Sequence, residues 1–261
     1  MKDEPVSDGQ VIEVRNLSAR YGDESILEHV DLDVHRGEIL VVAGTSGCGK
    51  STLLRHMIGL SAPSGGRIVI NGVDIATASE EALRQVRRGL GMLFQSSALL
   101  GSMTLAENVA LPLTEFSDLA DTVIDRVVRM KLAMVGLSGY EDHFPSELSG
   151  GMQKRAGIAR AMALDPHVLF LDEPFAGLDP ITSVELELVI RRINRGMGTT
   201  MVIVSHELES IFSIAQRIVM LDKTKKGIIA EGPPGAMRAS PDPRVRNFFS
   251  RDIEEKERAG A

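Results

Sequence analysis

The sequence predicts an α/β fold with a mostly parallel sheet as its core, an antiparallel β region ahead of it and an inserted helical lobe. Three observations carry that prediction. A continuous apolar strand, Ile39-Leu40-Val41-Val42-Ala43, runs straight into a glycine-rich loop and a helix. Between Ser96 and about Leu164 strand character fades and apolar residues recur at three and four, notably from Leu119 through Val135. Strand character then returns at Val168 to Leu171 and at Thr200 to Val204, each reached from a helix, the alternation of a parallel sheet.

Taken in order, Val11-Ile12-Glu13-Val14 and Val30-Asp31-Leu32-Asp33-Val34 alternate apolar with polar, as antiparallel strands do, before a turn at Arg36-Gly37. The helix after the glycine-rich loop is expected over Ser51 to Leu60. Arg67-Ile68-Val69-Ile70 then reaches Asn71-Gly72, a dipeptide suited to a two-residue hairpin turn. A polar helix at about Glu80 to Arg88 and a short strand ending at Phe94-Gln95 close this half. The reading is one domain over residues 11–240, with the helical lobe at about 96–164 and a loose lead-in at 1–10. A C-terminal tail over 241–261 follows Pro233-Pro234-Gly235, and its charged end from Arg251 to Ala261 is expected to be peripheral or partly disordered.

A formal net charge of −7 argues against a surface built to neutralise phosphate backbones, so nucleic acid is not the expected partner. Cys48 is the single cysteine, which rules out an internal disulfide and suits a reducing compartment. The start, Met1-Lys2-Asp3-Glu4-Pro5, lacks the basic-then-apolar pattern of a secretion signal. No apolar run approaches the roughly 18 residues that cross a bilayer.

The chemistry concentrates in three stretches. Gly44-Thr45-Ser46-Gly47-Cys48-Gly49-Lys50-Ser51 matches the phosphate-binding loop pattern, in its required setting of strand before and helix after. Glycines let the backbone curl its N–H groups around phosphate oxygens, Lys50 reaches the β- and γ-phosphates, and the Ser51 hydroxyl is a Mg²⁺ ligand. The ATP-binding set is Gly44, Thr45, Ser46, Gly47, Cys48, Gly49, Lys50, Ser51 and Thr52. Val168-Leu169-Phe170-Leu171-Asp172-Glu173 delivers two carboxylates at the carboxyl end of a buried strand. Asp172 suits Mg²⁺ and Glu173 suits the general base that polarises the attacking water. In Leu148-Ser149-Gly150-Gly151-Met152-Gln153, Ser149 is a good N-cap and the two glycines expose a second helix N-terminus suited to an anion.

That last stretch resembles the signature sequence of ABC ATPases, and the other motifs fall in the family's order. By this resemblance Gln95 is the Q-loop glutamine, touching metal and water, Gly177-Leu178-Asp179 is the D-loop, and His206 in Val204-Ser205-His206-Glu207 is the switch histidine that bonds the γ-phosphate. Tyr21 lies where family members carry an aromatic that stacks on adenine. The family implies ATP and Mg²⁺ as cofactors, ATP hydrolysis as the reaction, and a head-to-tail homodimer in which Ser149, Gly150 and Gly151 of one copy close on the nucleotide held by the other. Cys48 fills a variable position; the charge of Lys50 beside it favours a lowered thiol pKa, while its plainer reading is a small filler.

Coiled-coil arms and a second cassette are both missing from the sequence, which points to a transporter motor that needs separate permease subunits. Met92-Leu93-Phe94-Gln95-Ser96-Ser97-Ala98-Leu99-Leu100, Pro145-Ser146-Glu147, Asp172-Glu173-Pro174-Phe175-Ala176-Gly177 and Pro241-Asp242-Pro243-Arg244-Val245-Arg246-Asn247-Phe248-Phe249 are similar to the ATPases of Mla-type phospholipid transport systems. Leu178 departs from the Gln of some members of that branch, and Thr45 from the frequent Pro of the loop. The branch implies a permease dimer, an MCE-domain protein, in some systems a STAS-domain protein, and a location on the cytoplasmic face of the bacterial inner membrane. The alternatives are a motor for another cargo, such as an amino acid, a metal or a lipoprotein, and an ATP-dependent regulatory switch without a permease.

Overall fold

The computed structural model describes residues 9–250. The start of the lead-in, over 1–8, and the charged end, over 251–261, lie outside the described residues. The chain divides into two compact units, one made of the chain up to Leu83 and from Val204 onward, the other running from Arg84 to Ile203.

In the first unit, β1 (Gln10–Tyr21) and β2 (Glu24–His35) form a long antiparallel hairpin, with Ile12 opposite Val34 and Val14 opposite Leu32. Pairing already begins at Gln10, inside the span read as lead-in. Each strand is 12 residues long, well beyond the short alternating runs at 11–14 and 30–34. The alternation is broken by bulges: Asn16 and His29 both take positive φ, 51° and 52°, and His29 Nδ1 lies 2.6 Å from Asn16 Oδ1 across the pair. A bulge shifts the inward face by one residue, so a strict period of two is lost while the ladder continues.

The strand β3 (Ile39–Ala43), buried at all five positions, leads through the glycine-rich loop to α1 (Lys50–Met57). Next, β4 (Gly65–Ile70) and β5 (Val73–Asp74) turn at Asn71-Gly72, both at positive φ as the tight turn requires. The antiparallel sheet has the order β2-β1-β4-β5. The polar helix α2 (Glu80–Arg88) follows and crosses the division, with its residues from Arg84 onward in the second unit.

The second unit contains β6 (Leu90–Leu93), α3 (Leu105–Phe116), α4 (Asp121–Met134), α5 (Gly150–Ala161), β7 (Val168–Asp172), α6 (Pro180–Met197) and β8 (Thr200–Val204), whose last residue falls past the division. Its strands lie in the order β8-β7-β6, with β6 and β7 parallel. Thr104 opens α3 through a reciprocal capping box: its hydroxyl accepts from the Glu107 N–H at 3.2 Å, and Glu107 accepts from the Thr104 N–H at 2.7 Å. On α4, Ile124, Val128 and Leu132 are buried at a spacing of four, each such side chain stabilising the lobe by about 1.5–3 kcal/mol.

The chain then re-enters the first unit with α7 (Leu208–Ile214), β9 (Arg217–Asp222), β10 (Gly227–Gly232) and α8 (Pro234–Arg238). There β9 pairs in parallel with β3 and antiparallel with β10. Arg217 grips Glu38 with two hydrogen bonds of 2.5 and 3.0 Å and donates to the Asp33 carbonyl at 2.5 Å, which anchors the entrance to β3. Residues 243–250 are helical; Val245 and Phe249 are buried, and the Phe249 ring meets Phe212 edge-on at 5.6 Å. Phe249 thus anchors this part of the tail on α7.

Candidate active site

The glycine-rich loop takes its shape from tight packing beneath it. Gly44 has φ 146°, and a Cβ there would sit 2.5 Å from the Leu221 carbonyl oxygen and 2.6 Å from Cys48 Sγ. Only glycine fits between β9 and the loop's own buried cysteine. The N-cap of α1 is Gly49, which brings no side-chain acceptor, so the first turn of the helix offers its N–H groups to an anion. Lys50 is 8% exposed, and its Nζ donates to the carbonyls of Gly44 at 2.9 Å and Thr45 at 3.2 Å, which holds the ammonium over the loop. Thr45, Ser46 and Gly47 are exposed at its rim, while Ser51 and Thr52 are half-buried in the first turn of α1.

Burial pushes the Cys48 thiol up, outweighing the opposing charge of Lys50. The lowered pKa considered from sequence is therefore corrected: desolvation of a side chain 1% exposed disfavours the thiolate more than one neighbouring cation favours it. Cys48 is the small filler between the loop and β9.

His206 belongs to the same unit. The Ser205 N–H donates to the Val42 carbonyl at 3.3 Å, which fixes the 205–206 backbone beside the end of β3, two residues before Gly44. The imidazole is 52% exposed, with Nε2 3.4 Å from Glu207 Oε1. Tyr21 stands half exposed at the end of β1.

The second unit holds the other candidates. Asp172 ends β7 half-buried. Glu173 follows it, buried and at φ 48°, a left-handed conformation unusual for a residue with a side chain. Gln95 is exposed just after β6, ahead of Ser97 and Ala98, which are also left-handed at φ 62° and 49°. Lys154, which sequence reasoning missed, is 6% exposed; its Nζ donates to the carbonyl of Gln95 and, at 3.3 Å, to that of Glu173. Arg160 on the same helix donates to the carbonyls of Ala98 at 2.7 Å and Ser97 at 3.0 Å. Cations six residues apart on α5, with Gly157 between them, were the available signal.

Ser149 caps α5, accepting from the Met152 N–H at 3.3 Å, and Gly150 beside it is exposed. Gly151 is buried against α6, whose own N-cap is Asp179. Asp179 accepts from the N–H groups of Ile181 and Thr182 and, at 2.5 Å, from the Thr182 hydroxyl; these bonds, led by the hydroxyl, lower its pKa. Two capped helix starts, α5 and α6, thus stand against one another.

A groove of about 780 Å³ opens on the second unit. Arg84, Arg87 and Arg88 of α2 line it together with Met92, Leu111 and Phe116, among others. No helix among the described residues is long and apolar enough to cross a membrane.

The family described as ABC transporter matches residues 27–176, more than half of the chain. The chain belongs to the ABC transporter family. It is similar to the Escherichia coli K12 protein described as intermembrane phospholipid transport system ATP-binding protein MlaF, at 43% identity over 92% of this chain and 88% of the relative. It is also similar to a probable ribonucleotide transport ATP-binding protein, mkl, of Mycobacterium leprae, at 41% identity over 93% of this chain and 69% of the relative. Among solved structures, the ATP-binding cassette MJ0796, a dimer in a post-hydrolysis state with ADP and Pi, superposes with a TM-score of 0.77 at 28% identity, covering 85% of this chain and 98% of that one. The cassette cbiO1 of Clostridium perfringens, part of the cbiONQ transporter complex, superposes with a TM-score of 0.82 at 26% identity, covering 97% and 100%.

The fold is therefore that of an ABC cassette: an α/β sheet with parallel pairs and an antiparallel β region. The chain is the ATP-hydrolysing subunit of an ABC transporter; cassettes of this family bind ATP and ADP, dimerise and pair with permeases.

Proposed function

We propose that this ABC cassette energises phospholipid transport between bacterial membranes, from the cytoplasmic face of the inner membrane and through a separate permease. The observation that carries the cargo is the 43% identity to the intermembrane phospholipid transport ATPase, sustained over 92% of the chain. An MCE-domain protein, and a STAS-domain protein in some arrangements, complete the partners on this reading.

The residue roles belong to the same proposal. Gly44 to Thr52 cradle the phosphates of ATP, with Lys50 on the β- and γ-oxygens, and Tyr21 stacks on adenine. Ser51, Asp172 and the Gln95 amide supply the hard oxygen donors that Mg²⁺ prefers. Among the described residues no group of three or more His, Cys, Asp or Glu side chains is placed to hold a metal. Bound Mg²⁺ neutralises charge on the transferring phosphoryl group. Glu173 takes the proton of the attacking water, and His206 bonds the γ-phosphate. Ser149, Gly150 and Gly151 serve the nucleotide of a second copy, and Asp179 orders the helix start beside them.

The groove fits a permease segment. Its apolar floor and the arginines of α2 suit an amphipathic helix with acidic residues along one edge.

Co-expression with permease subunits, extraction in native lipid discs and mass spectrometry of the bound cargo test the proposal. Phospholipid in the complex, with ATP-dependent transfer of a labelled phospholipid between vesicles, is the expected result. Ribonucleotide or another small solute in its place overturns it, as does a soluble partner with no permease.

A further inference from the structure

Lys154 stands apart from the residues that face ATP in the proposed mechanism, and its surroundings are unusual for a lysine. It is buried at 6% exposure inside α5, the helix that starts at Ser149. Its hydrogen-bond acceptors are two main-chain carbonyls, those of Gln95 and Glu173, which lie 59 and 19 residues away in sequence. Both acceptor residues belong to the proposed hydrolytic set. Burying an ammonium is costly unless its donors are used, and an apolar side chain of the same length would fill this space more cheaply. Burial lowers the pKa of Lys154, and the charges of Asp172 and Glu173 act against that shift and favour the ammonium.

The segments it holds need holding. Glu173 sits at φ 48° and the stretch after Gln95 contains Ser97 at 62° and Ala98 at 49°, conformations that side-chain-bearing residues keep only when surrounding contacts impose them. Helix α5 imposes them from one side. Arg160 takes the carbonyls of Ser97 and Ala98, and at Gly157 a Cβ would come within 2.6 Å of Leu93 Cδ1 and 3.4 Å of the Ser97 carbonyl oxygen, so the backbone of 93–98 lies directly on the helix.

We propose that Lys154 is a positioning residue for ATP hydrolysis, its ammonium tying the main chain of Gln95 to that of Glu173 so that water-orienting amide and general base are set together from the signature helix. The inference rests on the reading of Glu173 as the base. A carboxylate displaced by about 1 Å from its productive position costs roughly a hundredfold in rate, so the tie acts on turnover rather than on nucleotide affinity.

The test uses the full chain with Lys154→Met, Lys154→Arg, Glu173→Gln and the double variant Lys154→Met/Glu173→Gln. Readouts are single-turnover hydrolysis, equilibrium binding of a fluorescent ATP analogue, and thermal unfolding. Lys154→Met is expected to slow hydrolysis about 10- to 100-fold with analogue binding within about twofold of the parent, and Lys154→Arg to restore most of the rate. In the Glu173→Gln background the same change adds less than about twofold, since the group it positions is already gone. The proposal is overturned by an unchanged rate in Lys154→Met, by an equal loss in both backgrounds, or by a loss that follows unfolding and is not restored by arginine. Parent-like hydrolysis by Glu173→Gln alone removes the underlying reading, and the tie with it, whatever Lys154→Met does.

Discussion

Thr182 occupies the space that a side chain on Gly151 would need: a Cβ at Gly151 would lie 2.1 Å from Thr182 Cγ2. Thr182 has no freedom to withdraw, because its hydroxyl and N–H are both engaged by Asp179. Gly151→Ala is therefore expected to destabilise the chain by about 1–3 kcal/mol. Thermal unfolding checks this, at roughly 2–4 °C per kcal/mol for a chain of this size. Thr182→Ser, which deletes Cγ2 and keeps the hydroxyl, is expected to recover much of the loss.

The Ser205 N–H bond to the Val42 carbonyl, 3.3 Å, sets His206 by the root of the glycine-rich loop. If its imidazole bonds the γ-phosphate, His206→Ala lowers kcat about a hundredfold, the scale of one lost donor to developing charge, with ATP affinity little changed. Equal losses in rate and affinity would argue for a purely structural histidine.

Burial raises the Cys48 pKa, so at neutral pH the thiolate fraction is smaller than for an ordinary thiol. Alkylation of the native chain by iodoacetamide is expected to be at least about tenfold slower than after unfolding in urea, with ATP slowing it further. Fast native alkylation would contradict the packing under Gly44.

Asp242, which accepts from Arg244 through side chain and main chain, has its carboxyl lowered from 3.8 to about 2. A depressed folded-state value contributes stability that is present above the unfolded pKa and is lost as pH falls through the folded one. The window is therefore pH 4 down to about 2. Asp242→Asn is expected to remove that pH dependence, and NMR titration of the Asp242 carboxyl gives the value directly.

Reversing charge in the groove tests its proposed occupant. Arg87→Glu, on an exposed face of α2, is expected to cut co-purification of the permease at least about tenfold while nucleotide binding stays unchanged. Undiminished capture of the permease would place its docking surface elsewhere.

Much of the fold was legible because its signals are local. The Asn71-Gly72 turn, the spacing behind α4 and the apolar run of β3 each depend on a few adjacent residues. The glycine-rich loop and the Ser149 cap were legible for the same reason. Other features were hidden because long-range packing decides them. Bulges at Asn16 and His29 masked the length of β1 and β2, and β9 was not placed although Ile218 to Leu221 is a continuous apolar run.

The sequence by itself determined the α/β class, the chemistry of the loop and the family, since those reside in short ordered motifs. The tertiary structure alone decided the character of Cys48, where desolvation by the packed loop and β9 exceeds the pull of Lys50 two residues away. It alone decided the role of Lys154, which in sequence is one more cation on a helix. Two carbonyls from distant segments meet one buried ammonium only after β6, α5 and β7 have packed, and no local pattern records that meeting.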